Sequence, residues 1–243
     1  NLLIANIDAE VVEKNVLTGE ELAYYKVESA ASGFGQVVKV DMLGSKKYDT
    51  VISNPPYSQS WIPQMDERFE GYKLAPKSKA DFAFILDGLY SLNESGTAAF
   101  ILPHGVLFRG QAEGDIRRKL IEDNLLDAVI GLPSNLFTNT SIPVCILVFK
   151  KNRANKDILF IDAQKDFVKH KNKNIMTAEQ EEKVIKAYKD RADIERYSSN
   201  ISVSTILDND YNLNIPRYIN SFEPEEIPDA VQLAKELNEI NRE

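Results

Sequence analysis

The chain has 243 residues, 43% of them hydrophobic and 27% charged, with a net charge of −8. That make-up fits one substantial globular domain, or one domain with a small appendage. It shows no apolar run long enough to span a bilayer and no secretory signal; its single cysteine, Cys145, excludes an intramolecular disulfide, so a cytoplasmic protein away from membranes is expected. Two histidines and one cysteine leave little material for zinc, and no metal is expected.

Residues 1–12 read as a short helix or strand remnant, after a start, Asn1-Leu2-Leu3-Ile4, whose lack of methionine suggests a fragment. Residues 13–35 read as polar and irregular, with Ser32-Gly33-Phe34-Gly35 as a turn. A strand is predicted over 36–40, ended by Asp41, and a buried strand over 48–53. A long loop, 58–79, follows with Trp61 near its start; long loops beside active sites are often lids. Residues 80–93 have helical periodicity, with Phe82, Ile85, Leu86 and Leu89 on one face. Strands are predicted over 97–102, 126–130 and 144–150, a helix over 113–124, and an edge strand over 158–161. Cys145 lies in the apolar 142–149 run, where core packing is expected. Residues 178–191 predict a helix rich in Glu and Lys. Residues 228–242 predict an amphipathic helix with Ala230, Leu233, Leu237 and Ile240 on one stripe.

Strand–helix–strand alternation from 36 to 130 argues for a mostly parallel, doubly wound sheet. The strand near 142–150 has no helix before it, so an antiparallel pairing is expected there. Charge is unevenly spread. Residues 150–173 carry eight lysines or arginines against three aspartates, a local +5 in a chain of −8. Such a chain is a poor stand-alone nucleic-acid binder, and a partner would supply most of the grip on DNA; the basic stretch reads equally well as a solvated loop.

The chemistry concentrates in Asn54-Pro55-Pro56-Tyr57, at the end of the buried strand. In open α/β sheets, ligands bind at strand ends. A planar amine nitrogen is a poor nucleophile because its lone pair is delocalised, and two oxygens accepting its hydrogens would help it react. The Asn54 amide oxygen and the Pro55 carbonyl can be those acceptors, which is electrostatic preorganisation. The prolines lock φ and hold Asn54 and Pro55 extended, and Tyr57 offers an aromatic face for a planar substrate. A rigid strand-end turn is the alternative role of the same residues.

Further motifs accompany the tetrad: Trp61; residues 98–108, which include Pro103-His104-Gly105; residues 130–137, followed by Thr140 and Ile142-Pro143; and residues 210–218. With these the chain resembles the modification subunit of type I restriction-modification systems, adenine-N6 DNA methyltransferases that use S-adenosylmethionine. The resemblance implies a Rossmann-like class I methyltransferase sheet, α/β and mostly parallel with an antiparallel strand, incomplete at its N-terminal side, plus a helical C-terminal tail. It divides the chain into residues 1–163, the C-terminal part of the catalytic domain, and residues 164–243, a mostly helical region.

By position the resemblance makes Asn54, Pro55, Pro56 and Tyr57 catalytic. Asn54 and Pro55 would hold the target amine and Tyr57 would stack on an extruded base, with Phe137 packing against it from another side or, alternatively, serving as core packing at a strand end. Asp41 and Asn54 would touch the cofactor, Asp41 at its adenine, although a turn role suits Asp41 nearly as well. His104 is expected to be scaffold, since the proton lost after transfer can go to water. DNA, a specificity subunit and a restriction subunit would be the partners, and the 230–240 stripe is a candidate docking face beside an ordinary packing role. One departure stands out. The Gly-rich cofactor loop of the family is not found, and Ser32-Gly33-Phe34-Gly35 does not replace it, so the chain alone is expected to be an inactive fragment. Two other readings stay open: a methyltransferase for another planar amine, such as protein glutamine or RNA guanine, and a non-catalytic interaction module.

Overall fold

The computed structural model describes residues 47–137 and 140–221, together with the backbone of three strands at 9–14, 21–28 and 36–39. Asp41, the 32–35 turn and the 228–242 helix lie outside the described residues. The three strands, β1 (Ala9–Lys14), β2 (Glu21–Glu28) and β3 (Gln36–Lys39), form an antiparallel sheet of their own in the order β1-β2-β3. This corrects two expectations. The strand predicted over 36–40 does not belong to the large sheet, and residues 21–28 are a strand rather than irregular chain. Their Leu-Ala-Tyr-Tyr-Lys-Val run is rich in strand-forming residues, and the flanking charges conceal it.

The large sheet has six strands: β4 (Tyr48–Ser53), β5 (Leu92–Pro103), β6 (Leu126–Gly131), β7 (Val144–Lys150), β8 (Ile158–Asp162) and β11 (Ser198–Ile201), in the order β11-β8-β6-β7-β5-β4. β4 runs parallel to β5 and β6 parallel to β8. β7 is antiparallel to both β5 and β6, as its helix-free approach predicts. Four of the six strands, β4, β5, β6 and β8, therefore point the same way and deliver their C-terminal ends to one edge of the sheet. β8 is an interior strand, not the edge expected, because β11 pairs on its far side. That pairing also carries the sheet across the division expected at residue 163. Between them lie the hairpin β9 (Val168–His170) and β10 (Lys173–Ile175) and the helix α3 (Ala178–Asp190).

Burial follows strand periodicity. Ile158 and Phe160 of β8 join one apolar cluster, while Leu159 and Ile161 join the other, so the middle of the sheet is covered on both faces. β4 corrects an expectation: it stands at the end of the strand order with residues 48–50 and Ile52 exposed, rather than as a buried strand. The first cluster is built with α1 (Asp81–Tyr90) and α2 (Gln111–Glu122). α1 sits so close to the sheet that a Cβ on Gly88 would lie 2.5 Å from the Phe100 ring, which explains a glycine inside a helix that is buried over Asp81–Leu89. The second cluster is closed by Val184 and Ala187 of α3. α3 starts on a capping box between Thr177 and Gln180.

α3 is also fixed by charge. Asp127, buried in β6, accepts hydrogen bonds from the Tyr188 hydroxyl at 2.8 Å and Arg191 Nη1 at 2.9 Å. Lys150 Nζ stands 3.2 Å away, and Arg153 Nε lies at 3.1 Å, paired by charge but out of hydrogen-bond alignment. Part of the basic 150–173 stretch is thereby absorbed into the scaffold. Among the described residues no helix is long and apolar enough to cross a membrane.

Candidate active site

The tetrad leaves the sheet at the C-terminal end of β4, on the edge where the parallel strands terminate. Asn54 and Pro56 are exposed and Pro55 is buried. The backbone therefore enters the core at one proline and returns at once, leaving the amide of Asn54 at the surface. Tyr57, half-buried, folds back and its hydroxyl donates a 2.9 Å hydrogen bond to Asn54 Oδ1. Burial raises the Tyr57 hydroxyl above its ordinary pKa, with the nearby Cys145 thiol adding to the effect. The phenol thus stays protonated and can act as a donor. Its bond fixes which side of the Asn54 amide carries the oxygen and leaves that oxygen a second lone pair for a substrate hydrogen.

The turn after the tetrad is held by a buried carboxylate. Ser58 has φ 51°, the left-handed region, which is strained for a residue other than glycine. Its N–H donates to Asp81 Oδ1 at 2.8 Å. The Asp81 side chain is wholly buried and pairs with Arg109 Nη2, and Arg109 Nε in turn donates to Glu113 Oε2 at 2.6 Å. Burial works against the charge of Arg109, but the Glu113 and Asp81 carboxylates outweigh it and hold the guanidinium above its ordinary pKa. Asp81, Arg109 and Glu113 thus tie the tetrad turn to α1 and α2. Sequence reasoning missed all three. The spacing of Arg109 and Glu113, one helical turn apart, was the available signal.

The 58–79 loop is anchored at several points. Ala80 N–H bonds the Gln59 carbonyl at 2.8 Å, closing its ends. The Trp61 indole N–H bonds the Pro76 carbonyl at 3.0 Å, and its ring meets Phe69 edge-on at 5.7 Å. Buried Arg68 pairs with Asp66 and Asp87. The loop is thus pinned at its ends and along its length.

Phe137 stands on the loop after β6, at the same sheet edge, and forms an isolated bridge with Thr140. Both Tyr57 and Phe137 are partly buried against the second apolar cluster, so the structure brings the two expected base-contacting aromatics to one apolar bed. His104 opens a 3-10 turn after β5, and its Nε2 is 3.0 Å from the Val144 carbonyl. A carbonyl only accepts, so that nitrogen carries the proton. Burial lowers the pKa of His104, and a neutral ring bonded to the backbone suits the scaffold role expected for it.

Of the two expected cofactor contacts, Asp41 lies outside the described residues. Asn54 is an exposed neutral amide at the end of β4. Among the described residues no group of three or more His, Cys, Asp or Glu could hold a metal ion.

Comparison with known proteins bears on the family and the fold. A family model described as N-6 DNA Methylase matches residues 1–227. The chain is 36% identical over 252 residues to the type I restriction enzyme MpnII methylase subunit of Mycoplasma pneumoniae, covering 99% of this chain and 44% of that protein. It is 34% identical over 245 residues to the MjaVIII methylase subunit of Methanocaldococcus jannaschii, covering 95% and 40%. A crystal structure of a type I restriction-modification methyltransferase subunit from Streptococcus thermophilus superposes with a TM-score of 0.72 at 53% identity, covering 74% of this chain and 39% of that one. The chain thus spans less than half the length of these relatives.

Proposed function

The chain belongs to the N-6 DNA methylase family, and from that membership we propose that it carries the amine-activating half of an adenine-N6 DNA methyltransferase, the modification subunit of a type I restriction-modification complex. The observation that carries the reading is the tetrad at the end of β4, with the Tyr57 hydroxyl orienting the Asn54 amide.

The target adenine leaves the duplex, at a cost of a few kcal/mol in unpairing and unstacking. Tyr57 and Phe137 then receive its two faces from the apolar bed they share. The exposed Asn54 oxygen accepts one amine hydrogen and the Pro55 carbonyl accepts the other. Positive charge grows on that nitrogen as it attacks, and both acceptors are neutral dipoles held rigidly, so they stabilise the charge without reorganising. S-adenosylmethionine, when bound, supplies an electrophilic methyl group. The chain's own contribution is alignment and charge stabilisation, and the surplus proton leaves to water. Residues 1–243 contain no Gly-rich cofactor loop of the family kind, so this segment by itself is proposed to hold the cofactor too weakly for turnover. Specificity and restriction subunits are the proposed partners.

The test is methyl transfer by the full-length protein in its assembled complex. Asn54→Ala is expected to lower transfer to DNA adenine on the order of 10²–10³-fold, as for loss of one preorganised hydrogen-bond partner, while cofactor binding measured by calorimetry is retained. Methylation of peptide glutamine with DNA left untouched would overturn the substrate assignment, and loss of cofactor binding in Asn54→Ala would overturn the role of Asn54.

A further inference from the structure

We propose that the β9–β10 hairpin is a phosphate-contacting surface, gripping the DNA backbone beside the base-receiving site; this rests on the DNA-methyltransferase reading above. The hairpin follows β8, and β8 is parallel to β4 and β6. The tetrad, the Phe137 loop and the hairpin therefore emerge on one edge of the sheet. The hairpin is also bonded to the Phe137 loop directly. Asn174, buried, donates from its backbone N–H to the Asn135 carbonyl and from Nδ2 to the Ser134 carbonyl, both at 2.8 Å. Asn135 Nδ2 returns a 2.9 Å bond to the Asn172 carbonyl. The hairpin is thus held in a fixed place relative to Phe137.

The hairpin is cationic on both faces: by register Lys169 shares a face with Asn174, Lys173 shares the other with His170, and Lys171 stands at the tip between them. Lys169, Lys171 and Lys173 are exposed, and none has an ion-pair partner among the described residues. The structure divides the basic 150–173 stretch in two. Lys150 and Arg153 serve Asp127, and Lys151 donates to the Leu92 carbonyl at 2.9 Å. Asp166, the nearest acid in sequence, is taken by Lys183 and the Tyr197 hydroxyl. Lys165 donates to the Ser221 carbonyl at 2.8 Å, and among the described residues the three hairpin lysines, with the exposed Lys156 farther back, are left without an ion pair. Lys171 at the tip has φ 53°, a conformation that favours glycine or asparagine. Three unpaired cations on five residues repel one another, and a polyanion relieves that repulsion. β8 lies four strand positions from β4, roughly 19 Å at about 4.8 Å per position. That is about five or six phosphate spacings of a DNA strand, so the strand that launches the hairpin and the strand that carries the tetrad end within one short run of backbone of each other.

The experiment uses the full-length protein in its complex, with a duplex carrying its recognition site. DNA affinity is measured by fluorescence anisotropy against salt for wild type, for the triple variant Lys169→Gln, Lys171→Gln, Lys173→Gln, and for the corresponding triple arginine variant. Because the tip is exposed, the fold is checked by an unchanged melting curve. The expected result is a slope of log K against log salt that falls by about 2.7 in the glutamine variant, about 0.9 for each phosphate no longer neutralised. The same slope is kept in the arginine variant, and KM for DNA rises in the glutamine variant. An unchanged slope in the glutamine variant overturns the proposal. If that unchanged slope comes with failure to assemble on the specificity subunit, the tip faces an acidic protein surface instead. A wild-type complex that transfers no methyl to DNA overturns the methyltransferase reading itself, a result that needs no variant and is separate from the first.

Discussion

Replacing Asp81 tests whether the buried clamp positions the tetrad or only stabilises the fold. Asp81→Ala removes the acceptor of the Ser58 N–H, at 2.8 Å, and one of the two carboxylates on Arg109. An unsatisfied buried donor costs about 1–3 kcal/mol. Breaking a buried ion pair from one side costs about 3–5 kcal/mol, and the lower end applies here because Arg109 is partly exposed and keeps Glu113 at 2.6 Å. A loss of about 3 kcal/mol is therefore expected, lowering Tm by roughly 6–12 °C in a chain of this size. Asp81→Asn keeps an oxygen for Ser58 but turns an amide donor or a neutral oxygen toward Arg109, and should lose about half as much. The functional consequence comes through Ser58. Without its bond, the left-handed residue has no reason to keep φ 51°, and Tyr57 moves with it. A displacement on the order of 1 Å in a positioning group can cost about 10²-fold. The assay is thermal melting together with kcat and KM for methyl transfer, measured on the full-length complex below the melting range of the variant. The expected pattern is a fall in kcat in both variants, larger in Asp81→Ala, with calorimetric cofactor affinity retained. If Asp81→Ala melts earlier by the expected amount and kcat per folded molecule equals wild type, the clamp stabilises without positioning, and the argument from Ser58 is refuted.

Two further outcomes follow from buried groups away from the tetrad. Burial alone would raise the Asp127 carboxyl, but the Tyr188 hydroxyl bond and the Lys150, Arg153 and Arg191 charges outweigh it and hold its pKa below the usual 3.8. A carboxyl depressed in the fold stabilises it above the unfolded pKa, and that stability is lost as pH falls through the folded one. Melting curves from pH 6 to about pH 2 should thus show Asp127→Asn less stable than wild type at pH 6, with the gap narrowing below about pH 4; a gap independent of pH contradicts the assignment. Cys145 is fully buried with its Sγ 3.6 Å from the Leu102 carbonyl, and burial pushes its thiol well up. A chromogenic thiol reagent should leave the native chain unlabelled and react with one thiol after denaturation; native labelling at the rate of a free thiol would show that β7 opens.

How much of this was legible in the sequence depended on whether the signal was local. The Asn54–Tyr57 tetrad is local: strand propensity over 48–53 and the backbone restrictions of two prolines place it at a strand end, and the structure puts it there. The antiparallel entry of β7 was legible for a similar reason, since a connection without a helix does not return a strand parallel to its predecessor. The position of β8 was not, because an apolar run of four residues reads the same at the edge or in the interior, and only the distant Ser198–Ile201 strand decides it.

The site shows the same limit more sharply. Asp81 at the start of a helix reads as an ordinary first-turn acid. Nothing within ten residues announces that it caps a backbone N–H 23 positions earlier or meets an arginine 28 positions later. The hairpin is the converse case. Its lysines were visible as a charge excess, but a run that reads equally as solvated loop acquires meaning only when Asp127 removes Lys150 and Arg153 from the count. Asn174 then anchors the remainder beside Phe137. Sequence chemistry proposes which atoms would react. Which side chains brace those atoms, and which charges lack an ion pair among the described residues, depends on contacts between residues far apart in the chain.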